Sequence, residues 1–189
     1  GIHAAAISTS TAILICAALT APKLYSGLSF INPQAMETTY CNPSTKPVFA
    51  KCIRAVYNTP VIGSFMYNLK YNRAAIMDKL SKVSGLEVAQ KNELADSMYE
   101  AAHTGGYYGR FLLASIHGNL LNSDIARMLS KLSTPILIVT GSADRQAKKA
   151  LPAFDIDKEN ISSVILEDIS APQLECPDKL ARILNSFFN

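Results

Sequence analysis

Ser8 is the residue of this sequence best placed to act as a nucleophile. It follows a run of small and apolar residues, Gly1 to Ile7, and precedes an apolar segment from about Thr11 to Leu19. The positions two residues before and after it are Ala6 and Ser10, which are both small. A serine on a tight turn between a strand and a helix needs such neighbours, because bulkier side chains would collide with the adjacent backbone. The pattern therefore predicts a strained turn that displays the Ser8 hydroxyl.

A carboxylate that could assist this serine follows another strand pattern. The segment Pro135 to Thr140 is a nearly continuous β-branched run, which is typical of a strand covered on both faces. It leads directly into Gly141-Ser142-Ala143-Asp144. Asp144 is therefore a candidate catalytic acid, and the alternative is an aspartate that caps a turn or the start of a helix.

The elements that must position these side chains predict an α/β fold. Besides the two strands already described, Leu24 to Ile31 and Ser162 to Glu167 have strand patterns. Because strands buried in a parallel sheet read as near-continuous apolar runs, we expect a parallel sheet of about four strands. A helix with apolar residues at helical spacing, Asp178 to Phe188, ends the chain.

Between Gln34 and Ser133 the apolar residues recur at helical spacing, and no strand pattern of any length occurs. The helices that this spacing predicts are Lys46 to Tyr57, Pro60 to Tyr71, Ala74 to Val83, Leu86 to His103, Tyr107 to Ile116, and one from a cap at Asn122-Ser123-Asp124 to Leu132. We therefore expect one discontinuous α/β core, residues 1–33 and 134–189, with an all-helical lid inserted at 34–133.

These features resemble the α/β-hydrolase fold. In that family the nucleophile turn reads G-x-S-x-G, and Ala6 to Ser10 occupy the same five positions here. A strand that ends in Asn32-Pro33 and leads into a lid is similar, as is the strand that ends in G-x-x-D. The family's closing block, H-x-P-x-x-E-x-P followed by a helix, is matched by Pro172, Glu175 and Pro177. The resemblance implies strands five to eight of the family's eight, together with the lid.

The same resemblance implies roles for individual residues. Ser8 would be the nucleophile, Asp144 the acid that orients a histidine, and the Thr9 N–H one donor of the oxyanion hole. The family's histidine position is occupied by Ser170, so the triad is degenerate. The chain order in this fold is serine, acid, histidine, and no histidine follows His117. No shift of the alignment can therefore restore the missing residue.

The three histidines present are His3, His103 and His117. His3 lies five residues before Ser8 on a predicted strand, roughly 16 Å away at about 3.3 Å per residue, which is beyond hydrogen-bond reach. His103, at the end of a predicted lid helix, is the candidate for a replacement base or a substrate contact. Its alternative role is a polar residue at a helix end. His117 is a weaker candidate for the same role.

These gaps in the triad decide the functional prediction. A serine without a base is a poor nucleophile, and the second oxyanion donor in this fold comes from a loop after an earlier strand. We predict an esterase- or lipase-like serine hydrolase of the carboxylic-ester type that is poorly active or inactive as this chain, a pseudoenzyme. The alternative is a non-catalytic binding or interaction module, or a truncated fragment of a larger hydrolase. The expected ligand is a small apolar or acyl compound under the lid, and no cofactor is implied.

Composition restricts the other classes of function. A net charge of +3 over 189 residues, with scattered basic residues, argues against nucleic-acid binding. The four cysteines lack metal-ligand spacing, so we expect no metal and a reduced cytoplasmic protein with buried thiols; they are Cys16, Cys41, Cys52 and Cys176.

Ile13 to Ala21 resembles the apolar core of a signal peptide, but no basic residue precedes Lys23. The run is also too short to span a bilayer.

The first strand carries one further expectation. Its usual neighbour in the family precedes it, so its outer edge is predicted to be unpaired. Exposed strand edges pair readily with other chains. We therefore expect a homodimer or another pairing through the edge of this strand.

Overall fold

A computed structural model describes residues 1–34, 47–106, 108–117, 125–154 and 158–189 of the chain. The chain divides into two compact units. We call Gly1–Thr39 with Ser123–Asn189 the core unit, and Tyr40–Asn122 the helical unit. The boundaries predicted from the sequence, after residues 33 and 133, stay a prediction.

The core unit contains a four-stranded parallel sheet, which confirms the predicted fold class. Its strands are β1 (Ile2–Ile7), β2 (Tyr25–Ile31), β3 (Ile136–Gly141) and β4 (Ile161–Leu166), and their spatial order is the order in the chain. The central strands, β2 and β3, are the most buried, as a sheet covered on both faces requires. Within the described residues β1 pairs with β2 alone, so it lies at one edge of the sheet.

The helices of the core unit follow the strands. They are α1 (Ser10–Thr20), α7 (Ile125–Leu129), α8 (Arg145–Phe154), α9 (Pro172–Glu175) and α10 (Pro177–Phe188), with a 3₁₀ turn at Pro22–Leu24. The sequence pattern did not predict α8, because Pro152 lies inside it and its buried residues are mostly alanines. The predicted cap at residues 122–124 lies outside the described residues.

The outer face of α1 is exposed, although its sequence favours burial. The helix is apolar nearly all round, which favours burial on every side. Only one face is buried, and Ile13 on the other is 67% exposed. Cys16 is also exposed, as is Cys52 elsewhere in the chain, so the prediction of buried thiols is wrong for both. A helix without an apolar stripe gives no signal of which side faces the sheet.

The helical unit contains α2 (Pro47–Asn58), α3 (Pro60–Tyr71), α4 (Arg73–Ser81), α5 (Val88–His103) and α6 (Gly109–His117). Side chains that cap helix starts explain several of these boundaries. The Thr59 side chain accepts a hydrogen bond from the Gly63 N–H at the start of α3, and Asn72 does the same for Ala75 in α4. A capping box of Glu87 and Gln90 begins α5.

Candidate active site at the carboxyl edge of the sheet

The turn between β1 and α1 holds Ser8 in a left-handed conformation, with φ of 57°. Its N–H donates to the Ile31 carbonyl at 2.9 Å, and its own carbonyl accepts from the Thr11 N–H at 3.2 Å and the Gln34 N–H at 3.3 Å. The Ser10 hydroxyl donates to the Ile7 carbonyl at 2.5 Å and closes the turn. A non-glycine residue at positive φ is strained, and such residues cluster at functional sites.

Two groups of this turn make no hydrogen bond to any other described residue. This holds for the Ser8 hydroxyl and for the Thr9 N–H, which lies at the start of α1. An N–H at a helix start can stabilise a developing negative charge. Within the described part of the chain, therefore, no basic side chain contacts the Ser8 hydroxyl, whereas the Thr9 N–H is available as a hydrogen-bond donor. Their catalytic roles stay predictions.

Asn32, the first residue after β2, connects the ends of β2 and β3 with the loop of Ser170. It is buried, and its Oδ1 accepts from the Gly141 N–H at 2.7 Å. Its Nδ2 donates to the Ser170 carbonyl at 2.6 Å and to Asp144 Oδ2 at 3.2 Å. Its main-chain conformation, with φ of 43°, is one that asparagine tolerates better than most residues. Asn32 was not among the predicted site residues; a polar residue at the end of a buried strand was the available signal.

Asp144 uses both carboxylate oxygens for local structure. Oδ1 accepts from the N–H groups of Gln146 at 2.8 Å and Ala147 at 3.1 Å, at the start of α8. Oδ2 accepts from Asn32. These contacts match the helix-capping alternative considered for this residue. They also hold the carboxylate beside the loop of Ser170, because Asn32 binds both. The role of Asp144 as a catalytic acid stays a prediction.

The predicted histidine position, Ser170, is held by Glu175. Glu175 Oε1 accepts from the Ser170 hydroxyl at 2.6 Å, the Ser170 N–H at 2.8 Å and the Ala171 N–H at 2.6 Å. The loop also packs closely on β3, because a Cβ added to Gly141 would lie 2.3 Å from the Ile169 carbonyl oxygen. Glycine is therefore required where G-x-x-D begins. The match at Glu175 in the closing block reflects a residue that fixes this loop.

The histidines have other contacts. His3 stacks its ring on Phe188 with centroids 4.6 Å apart. His103 belongs to the helical unit, where its Nδ1 lies 2.8 Å from the Tyr99 carbonyl oxygen and its Nε2 lies 3.0 Å from Asn68 Oδ1. Its use as a base for Ser8 stays a prediction, and so does any role of His117, whose side chain lies outside the described part.

Around His103 the helical unit is closely packed. The Tyr67 hydroxyl donates to the Ala102 carbonyl at 2.7 Å, and the Tyr67 ring meets the His103 ring edge to face. Burial raises the pKa of the Tyr67 hydroxyl above its ordinary value. Burial, with a smaller contribution from the positive charge of Lys79, lowers the pKa of the Lys70 amine.

Two further observations concern the chain as far as the structure describes it. No group of three or more His, Cys, Asp or Glu side chains there is arranged to hold a metal ion. None of the helices described is both long enough and apolar enough to cross a membrane.

Neither a protein-family model nor a curated protein matches the chain. Solved structures do. A mutant of the meta-cleavage product hydrolase CumD is 18% identical with a TM-score of 0.66, and the similarity covers 99% of this chain and 64% of that one.

Two more solved structures give the same result. The 2-hydroxy-6-oxo-6-phenylhexa-2,4-dienoate hydrolase of Rhodococcus sp. strain RHA1 is 14% identical with a TM-score of 0.62, over 98% of this chain and 63% of that one. A thermophilic esterase from Thermogutta terrifontis is 15% identical with a TM-score of 0.62, over 99% of this chain and 64% of that one. The chain thus spans less than two thirds of each of these proteins. At such identities the likeness establishes the fold, and the chain has the α/β-hydrolase fold that its sequence resembles.

Proposed function

We propose that this chain is an esterase-like member of the α/β-hydrolase group with a degenerate triad, and that it binds a small acyl compound with little or no turnover. The observation that carries the proposal is the pairing of Ser170 with Glu175. The position where the fold supplies its base holds a hydroxyl, and that hydroxyl donates to a carboxylate at 2.6 Å. A serine in that position cannot accept a proton from Ser8 near neutral pH as an imidazole does.

The size of the expected defect follows from the missing parts. A positioned general base contributes about 10²–10⁴-fold in rate. One oxyanion donor contributes about 10²–10³-fold. Ser8 and the Thr9 N–H can still bind and polarise an acyl carbonyl, because both lie at the turn without partners among the described residues. The names of the similar structures, an esterase and two hydrolases, support an acyl ligand for this chain.

A fluorophosphonate probe tests the proposal directly. The probe modifies a serine whose hydroxyl is activated, so we expect little or no labelling of the folded wild-type chain. Ser8→Ala is the matched control, and an active serine hydrolase of the same fold provides the positive reference. Labelling of the wild type at a rate close to that of the reference, and its loss in Ser8→Ala, would show a competent nucleophile and contradict the proposal.

Replacement of Ser170 by histidine tests the same proposal in the other direction. If the remaining parts of the site are in place, Ser170→His supplies the missing base and raises the labelling rate of Ser8 by about 10²-fold or more. Ser163→His, which places a histidine on an exposed position of β4, controls for a non-specific effect of imidazole. An equal result for both variants would remove the argument that Ser170 occupies the position of the base.

The alternative function is an interaction module without chemistry. One observation favours it: the helical unit exposes large apolar side chains, including Val61, Phe65 and Tyr108. Binding of a hydrophobic partner that is unchanged in Ser8→Ala, together with absence of labelling in Ser170→His, would favour this alternative over the degenerate hydrolase.

A further inference from the structure

Strand β4 leaves open the edge that it turns away from β3. Within the described residues β4 pairs with β3 alone, so it forms the edge of the sheet opposite β1. Natural proteins usually protect such an edge with charged side chains, proline or a bulge. The residues of β4, Ile161 to Leu166, include no charged residue and no proline, and their register with β3 is continuous. The strand therefore carries none of these protections.

The backbone groups on the open edge belong to alternate residues of β4. Toward β3, the Leu166 carbonyl accepts from the Ser142 N–H at 2.9 Å. The N–H and C=O of one residue point to the same side of a strand, and the side alternates along the strand. The outward groups are therefore those of Ile161, Ser163 and Ile165, and one of them, the Ile161 N–H, already donates to the Lys158 carbonyl at 3.0 Å.

The remaining outward groups complement themselves when the strand is reversed. They are the Ile161 C=O and both groups of Ser163 and Ile165, and they have no hydrogen-bond partner among the described residues. In an antiparallel pair centred on Ser163, the two serines donate to each other, and each Ile165 N–H meets the free Ile161 C=O of the opposite strand. The edge can thus exchange hydrogen bonds with its own copy at its centre and toward both ends.

The side chains of the same residues select this register. An axis at Ser163 places Ile161 of each strand opposite Ile165 of the other, on one face of the sheet. An axis moved by one residue, to Ser162 or Val164, would instead place an isoleucine opposite a serine. Opposed β-branched side chains stabilise a pair of strands, so the register centred on Ser163 is favoured.

A cavity beside the edge would be covered by the same neighbour. It has a volume of about 200 Å³, and its lining includes Ile161 and Ile165 of β4 with Leu151 and Phe154 of α8. Ile165 is 52% exposed. A two-fold axis perpendicular to the sheet keeps each face on its own side, so Ile165 of a second copy would lie opposite Ile161 and next to this cavity. The pairing would thus remove apolar surface from water as well as join backbone groups.

We propose that the outer edge of β4 pairs antiparallel with the same edge of a second copy of the chain, about a two-fold axis through Ser163. The two sheets then form one continuous sheet, and the contact closes with two copies because each β4 edge is used. Another extended protein segment could bind the same backbone groups, but the match of Ile161 with Ile165 is a property of this strand with itself. The inference goes beyond acyl binding and does not depend on the chemistry of Ser8.

This edge differs from that of β1, through which the sequence leads us to expect a homodimer. The resemblance gives β1 an earlier neighbour in the family's fold, whereas β4 corresponds to the last strand. The outward residues of β1 are His3, Ala5 and Ile7, because the Ser8 N–H donates to Ile31 of β2. An axis at Ala5 would place His3 opposite Ile7, so the edge of β1 lacks the pairing of like side chains that β4 has.

Ser163→Pro tests the edge, because it removes an N–H that points outward. Sedimentation velocity of the full chain is measured over a range of micromolar concentrations. We expect the wild type to be in monomer–dimer equilibrium, and the dissociation constant to rise by about tenfold or more in Ser163→Pro. The bonds to β3 should remain, since proline is tolerated on edge strands where the N–H faces solvent. Ala5→Pro is the matched control at the edge of β1 and should change the constant less than about twofold.

Ile165→Lys keeps the proposal testable if Ser163→Pro does not fold. The side chain at this position is half exposed in the single chain, so a lysine there can reach water. In the pair it would lie opposite Ile161 and bring a charge onto the shared edge. We expect loss of the dimer, with a circular dichroism spectrum like that of the wild type.

Ser163→Cys tests the register. Directly opposed residues of a hydrogen-bonded antiparallel pair have Cα atoms about 5.5 Å apart, which suits a disulfide. We expect oxidation to produce a covalent dimer of Ser163→Cys at least about fivefold faster than of the wild type, whose exposed thiols Cys16 and Cys52 give the background rate. Ser162→Cys, whose copies are offset in this register, should crosslink at the background rate.

Three outcomes would overturn the proposal. One is a wild type that stays monomeric at all these concentrations. Another is a loss of the dimer in Ala5→Pro that equals or exceeds the loss in Ser163→Pro, since the contact would then not be specific to β4. The third is faster crosslinking of Ser162→Cys than of Ser163→Cys, which would indicate another register. Labelling of Ser8 is a readout in none of these measurements, so the two proposals fail separately.

Discussion

The two ends of the candidate site use their polar groups in opposite ways. At the acid end, Asn32, Asp144 and Glu175 each make two or more hydrogen bonds. At the serine end, the Ser8 hydroxyl and the Thr9 N–H have no partner among the described residues. The same edge of the sheet therefore has a rigid half and an open half.

This difference bears on the proposal of a degenerate hydrolase site, because neither half of the site depends on a catalytic base for its shape. The residues of the acid end are needed to join β2, β3 and the loop before α9, whether or not a base is present. The strained turn at Ser8 is held by main-chain bonds, so it too persists without catalysis. Substitutions at the acid end should then cost stability, and substitution of Ser8 should not.

The largest effect is expected for Asn32→Ala. The change removes three hydrogen bonds, leaves the Gly141 N–H without its acceptor and places alanine at positive φ. We expect the free energy of unfolding to fall by about 3 kcal/mol, measured by urea denaturation. Asn160→Ala, which removes two bonds to the Leu132 and Thr134 carbonyls, should lose about 1 kcal/mol. Equal losses would mean that the hydrogen bonds of Asn32 stabilise the protein no more than those of Asn160.

A smaller effect is expected for Gly141→Ala. The added methyl group would lie 2.3 Å from the Ile169 carbonyl oxygen, which belongs to the backbone and moves only with the loop. Overpacking of this kind costs about 1–3 kcal/mol, and we expect about 2 kcal/mol by the same measurement. Gly27→Ala is the control, because its methyl group would meet the movable Phe188 ring at 3.1 Å. The idea of a tightly held loop fails if Gly27→Ala is the more damaging change.

Glu175→Gln should have a still smaller effect. Glutamine keeps a carbonyl oxygen for the three donors of Ser170 and Ala171 but loses the negative charge that strengthens those bonds. We expect a loss of about 1 kcal/mol in thermal or urea unfolding, and about 2 kcal/mol for Glu175→Ala, which leaves the donors without an acceptor. If both variants unfold like the wild type, the loop is held by other contacts.

The sequence predicted the fold well because its strands are strongly marked. The β-branched run before Gly141 and the apolar run before Asn32 have the pattern that two-sided burial requires, and the order of the elements then determined a parallel sheet. For three of the strands, the turn residues that follow the strand pattern were enough to predict where the strand ends. The prediction that the triad lacks its histidine rests on chain order, since no histidine follows His117; it stays a prediction.

The sequence could not predict which polar groups would bind each other. Asn32 contacts residues more than a hundred positions away, and no local pattern indicates such a partner. The exposure of Val61, Phe65 and Leu69 on α3 was also not predictable, because their spacing is the same in a helix that buries its apolar face. Contacts of the opposite side with other helices, such as that of Gly63 with α2, determine which side faces out.

The smallest expected effect is the sharpest test of the contrast between the two ends, because it compares two serines. Ser170→Ala removes a hydroxyl that donates to Glu175 at 2.6 Å, so we expect a loss of about 1 kcal/mol. Ser8→Ala removes a hydroxyl without a partner among the described residues and keeps the strained φ. We therefore expect a change in the free energy of unfolding below about 0.5 kcal/mol. A larger loss in Ser8→Ala than in Ser170→Ala would show that Ser8 is structural and would remove the reason to regard it as a nucleophile held ready at the open end.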